Sequence, residues 1–245
     1  MFRTGNPALS RMDKVEAAFD TGDVMTVSGT INKTAILLGC CLLTATFAWS
    51  QAAKDPGVIM AYLFGGMIGG LIFAMITVFK PNTAHITAPI YALCEGLFLG
   101  ALSLWVQSLV PETPIVMQAA GLTFGTLAAM LVAYRTGVIK CTDKFRAGVV
   151  AATGAIFLVY MVTFMLNMFG VGVPFIHSAG PIGIGISLVV IVIAALNLVL
   201  DFDFIDRGSR EGAPRQYEWY GAFGLMVTLV WLYVAILQLL LKLRD

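Results

Sequence analysis

The chain has 245 residues, 59% hydrophobic and 12% charged, with 15 Lys+Arg against 14 Asp+Glu. An ordinary soluble domain carries roughly twice that share of charge, so a single water-soluble fold is excluded. The near-neutral balance and the lack of a basic run exclude a nucleic-acid binder, and the apolar content excludes disorder.

A bilayer-spanning helix needs about 20 mainly apolar residues. Seven stretches qualify: 34–51, 58–79, 86–109, 115–134, 147–169, 180–200 and 220–241. Continuous apolar runs, rather than alternating ones, exclude a membrane β-barrel. The expected fold class is therefore an all-α integral membrane protein with seven spanning helices. Residues 1–30 are too polar for a signal peptide and are expected to form a flexible arm, with a short interfacial helix over 12–18. Residues 31–245 form the membrane domain. Pro111, Pro114 and Pro181 fall near expected helix starts, where a missing N–H costs little.

Charge position gives an orientation. With seven spans, the arm and the loops 2–3, 4–5 and 6–7 share one side. That side holds twelve basic residues and the other holds three, Lys54, Lys242 and Arg244. The positive-inside bias puts the N-terminus in the cytoplasm and the C-terminus outside. A bacterial inner (plasma) membrane is the expected location.

Small residues recur at a spacing of four: Gly65, Gly66, Gly69 and Gly70 in span 2, Gly96 and Gly100 in span 3, Gly121 and Gly125 in span 4. Such spacing lets helix backbones approach in lipid. Packing, a gate and a dimer seam are all compatible with it.

Two places carry acids where lipid makes them costly. Glu95 lies about ten residues into span 3, with Tyr91 one turn earlier on the same face. A mid-membrane carboxylate must be protonated, paired or wet. It serves either an ion or proton path or a helix-to-helix tie. The second place is the end of span 6, with Asn197, Asp201, Asp203, Asp206 and Arg207. Asn197 and Asp201 are four apart and share a face. Asp201 is expected at the cytoplasmic edge of the hydrocarbon, with Asp203 and Asp206 just outside and partly offset by Arg207. Asp201 and Glu95 are the candidate transient ligands for calcium, a cation that prefers several oxygens. The spacing lacks an EF-hand loop.

Other intramembrane polar groups are Asn167 and Ser187. His85 and His177 fall on opposite sides and make no zinc pair. No HExxH, GxSxG or Walker pattern is present, and Ser187 has no nearby histidine base. The chain is read as no enzyme and as needing no cofactor. Cys40, Cys41, Cys94 and Cys141 make no disulfide framework. Trp219 and Tyr220 read as interface anchors, while Trp231 and Tyr233 lie deeper.

These features resemble the Bax inhibitor-1 family, the transmembrane BAX inhibitor motif proteins. The resemblance rests on seven spans, Asp201-Phe202-Asp203-Phe204-Ile205 and Leu232-Tyr233. The stretches 31–35 (INKTA), 88–96 (APIYALCEG) and 218–224 (EWYGAFG) are similar to its bacterial Bax inhibitor-1/YccA-like branch. It covers nearly the whole chain from about Asn32. The resemblance implies a bundle whose last helix is central. It also implies a pH-sensitive calcium leak, gated by one aspartate ending span 6 and another in span 7, and a shift of span 2 on protonation. The first aspartate matches Asp201. The second position, in the family's Leu–Tyr–x–Asp, is Ala235 here. The family's basic residue at the end of span 2 corresponds to Lys80, a possible partner of Asp201.

Gating and ion-path candidates are therefore Asp201, Glu95, Lys80, Asp203 and Asn197, with Glu95 standing in for the missing second acid. Expected partners are the lipid bilayer, calcium or protons, and a membrane protein if the chain is instead a non-conducting regulator of a membrane protease or similar partner.

Overall fold

The structure is a computed structural model describing residues 24–170 and 180–244. The expected arm up to residue 23, including 12–18, and His177 lie outside the described residues.

Among the described residues, seven α-helices are long and apolar enough to cross a membrane. They are α1 (Val27–Lys54), α2 (Ile59–Phe79), α3 (Ala84–Leu109), α4 (Ile115–Arg135), α5 (Asp143–Met168), α6 (Pro181–Arg210) and α7 (Tyr217–Lys242). No β-strand occurs among the described residues; Val24 and Pro214 form an isolated bridge. The short connections 2–3 and 1–2 are single helical turns, Pro81–Thr83 and Pro56–Val58, each opened by a proline at a position that needs no N–H. Pro181 opens α6 and Pro114 caps α4, as their spacing implied.

Two helices exceed their expected bounds by seven residues or more at one end. α1 begins at Val27, where Thr26 caps it by accepting from the Gly29 N–H at 2.9 Å. α6 runs ten residues past the apolar run, to Arg210. Thirty residues span about 45 Å at 1.5 Å each, against a hydrocarbon core of about 30 Å. The charged end of α6 is thus helix. Gly212, at φ 66°, then turns the chain toward α7.

The chain divides into two compact units. One takes residues up to Ala101 with Asp203–Met226, the other Leu102–Phe202 with Val227 onward. In the first, Leu37, Ala48, Ala88 and Ala92 are fully buried. In the second, Ile115, Ala119, Leu198 and Leu232 are. Alanine and glycine at such positions allow close helix approach, which drives packing in lipid. α2 and α5 are only 11% buried along their apolar stretches and expose side chains such as Leu71 and Phe157, the surface that lipid covers. α7 is 44% buried, the largest share among these helices.

Candidate functional site

Glu95 sits in α3 within the first unit. Glycines of α2 and of α3 itself let neighbouring backbones close on this stretch. A Cβ at Gly70 of α2 would lie 2.6 Å from Glu95 Oε1, and one at Gly66 would lie 2.6 Å from the Phe98 nitrogen. On the other face, Gly96 and Gly100 abut the α1 backbone at Cys41 and Ala45. The Tyr91 hydroxyl, one turn before Glu95, hydrogen-bonds its carboxyl, as the spacing suggested. The Tyr91 ring is buried edge-on against Phe223 of α7, at 5.0 Å. Glu95 is thus held among α1, α2 and α3 with a fixed donor.

The glycine pattern is not uniform. At Gly65, Gly121 and Gly125 a Cβ would meet no atom within 4 Å, so the span-4 pair makes no close helix contact among the described residues. Spacing alone does not say which glycine faces a neighbour.

Asp201 lies in α6 within the second unit. The residue is half-buried, but its Oδ2 is shut off from solvent and has no hydrogen-bond partner among the described residues. The Thr228 hydroxyl of α7 hydrogen-bonds the same carboxyl. One turn earlier, Asn197 donates to Thr153 Oγ1 of α5 at 2.8 Å and to the Ile193 carbonyl at 2.8 Å. Asn197 and Asp201 therefore tie α6 to two different helices. Replacing Thr228 by valine is expected to leave the carboxyl with no donor and to cost roughly 1–3 kcal/mol. Thermal unfolding in detergent checks this; an unchanged melting temperature would show that the bond carries no weight.

Asp203 and Asp206 are helical residues. They sit on helical α6, paired one turn on, Arg207 Nε to Asp203 Oδ2 at 2.8 Å and Arg210 to Asp206 at 2.9 Å. Asp203 is buried within the protein, and the continued helix sets each acid four residues before its arginine.

Lys80 is exposed at the end of α2, where its N–H bonds the Ile76 carbonyl. His85 is exposed at the start of α3. Ala235 is buried and apolar. Two residues before it, Tyr233 and Ser103 share a hydrogen bond of 2.7 Å. At the end of α7, Lys242 donates to Ser187 Oγ at 2.9 Å and to the Gly183 carbonyl at 3.2 Å. This joins Ser187, which has no histidine in sequence reach, to a lysine.

The most heavily bonded acid was not a sequence candidate. Glu218, in the first turn of α7, has a side chain only 2% exposed. It accepts from the Thr26 N–H at 2.9 Å and the Thr26 hydroxyl at 2.8 Å, and is ion-paired with Lys33. Arg215 Nε is 4.0 Å away. Gly29 lies directly against the carboxylate, where any Cβ would collide. The Lys33 ammonium is also 5.6 Å from the centre of the Trp219 ring. The available signal was Thr26 three residues before Gly29 at a helix start, with an acid opening the last helix.

No group of three or more His, Cys, Asp or Glu capable of holding a metal ion occurs among the described residues, so neither Asp201 nor Glu95 belongs to a ready-made cage. None of the four cysteines is in a disulfide. A family model described as Bax inhibitor 1 like matches residues 6–245. No curated protein and no solved structure matches the chain.

Proposed function

The chain belongs to the Bax inhibitor 1 like family, and from that premise we propose that it is a pH-sensitive cation leak, with calcium as cargo, gated at Asp201. The observation that carries this reading is a carboxyl on α6 with one oxygen held by Thr228 and the other without a donor. Such a group is half-committed. As a carboxylate it only accepts; once protonated it also donates. Taking up a proton therefore rewrites its bond with α7 and shifts the balance between closed and open forms. Glu95, with its Tyr91 donor, is the second acid on the ion path. The basic loops face the cytoplasm, the C-terminus lies outside, and the membrane is a bacterial plasma membrane. No catalytic role is assigned.

A second reading is favoured by one residue. Ala235 is apolar and buried where the resemblance places a carboxylate. A chain lacking that acid fits a non-conducting regulator that binds another membrane protein.

The test is calcium flux in oriented proteoliposomes across a pH series, with Asp201→Asn and Glu95→Gln beside the parent. A leak reading expects flux above protein-free vesicles. It expects Asp201→Asn to flatten the pH response and Glu95→Gln to reduce the flux. Correctly inserted protein with no flux at any pH would overturn it and leave the regulator.

A further inference from the structure

A cleft of about 530 Å³ opens at the starts of α1, α3 and α7, lined by Lys33, His85, Pro214, Arg215, Gln216 and Trp219. We propose that it seats the headgroup of an anionic phospholipid. This goes beyond the proposed leak and does not depend on it.

The cleft is built rather than incidental. Buried Glu218 fixes the Lys33 ammonium in place, leaving that cation preorganised at the cleft wall. Arg215 has a side chain 64% exposed and lies 4.0 Å from the same carboxylate. Its planar fork suits a phosphate diester. Two cations against one carboxylate leave a positive balance at the mouth. Gln216 is oriented by its bond to Asn82 Oδ1 at 3.0 Å, and His85 lies against the Asn82 carbonyl at 3.2 Å. Trp219 supplies the aromatic wall that membrane proteins place at headgroup level.

Apolar surface decides between a lipid and a free phosphate. Ile36, one helical turn from Lys33 on the same side of α1, is more than half exposed. A soluble anion makes no use of it. A phospholipid places its phosphate on Arg215 and Lys33 and an acyl chain along Ile36. Juxtamembrane cations of this kind draw anionic lipid.

The test is native mass spectrometry of the purified full chain, offered equal phosphatidylglycerol and phosphatidylcholine. The parent should retain phosphatidylglycerol preferentially. Arg215→Gln, at an exposed position that removes one cation and adds no charge beside the Lys33–Glu218 pair, should lower that retention about fivefold. Lys140→Gln, the same charge change in the exposed loop before α5, should leave it unchanged. Millimolar inorganic phosphate should fail to displace the lipid. Equal retention of both lipids, or equal loss in both variants, would overturn the proposal. Displacement by phosphate would overturn it in favour of a small-anion site.

Discussion

Lys33→Met is expected to cost the fold roughly 3–5 kcal/mol, the usual consequence of leaving one member of a buried ion pair alone. Glu218 is 2% exposed, and Lys33 is 13% exposed on its other side. With the ammonium gone, the carboxylate keeps the two Thr26 donors. Arg215 at 4.0 Å is exposed and gives weak compensation. The loss falls on the junction of α1 with α7, so it should lower the unfolding temperature in detergent. The double variant Lys33→Met/Glu218→Gln should recover most of it, because a neutral amide still accepts from Thr26 and no longer carries a buried charge. A single variant that melts with the parent, or a double variant no better than the single, would show that the pair does not hold this junction.

Gly100→Ala should be nearly as damaging, and for a different reason. The added methyl would meet the Ala45 carbonyl and Cα of α1. These are backbone atoms and cannot swing aside as a long side chain can, so the helices must part. Overpacking of this kind costs typically 1–3 kcal/mol, occasionally more. Gly125→Ala, in α4, meets nothing within 4 Å. There the exchange should be neutral or stabilising by up to about 1 kcal/mol, from alanine's higher helix propensity. Paired melting curves separate the two. Equal effects at Gly100 and Gly125 would show that α1 and α3 do not approach as closely as the geometry states.

Glu95 was legible in the sequence because an acid inside twenty apolar residues has no ordinary explanation. Its Tyr91 donor was legible too, since four residues on a helix define one face. Glu218 was not. An acid in the first turn of a helix is commonplace, favoured there by the helix dipole. What makes it unusual is burial by Thr26 and Gly29, some 192 positions away. No local pattern carries that distance. The end of α6 lies past its apolar stretch. Five charged residues among ten end the hydropathy signal, yet their spacing places Asp203 against Arg207 and Asp206 against Arg210 once the helix continues.

Composition, run length and charge placement thus determined the class of molecule, the number of spans and an expected orientation. Lipid forces every backbone polar group to be satisfied within a helix, so apolar length converts directly into spans. The tertiary structure decided which glycines meet a backbone, which oxygen of Asp201 lacks a donor, and that Lys33, Thr26 and Glu218 form one cluster. Those outcomes depend on how a helix is rotated about its axis and which helix lies beside it. In lipid, that rotation is set by close packing of small residues rather than by hydrophobic contrast, and hydropathy patterns carry little of it.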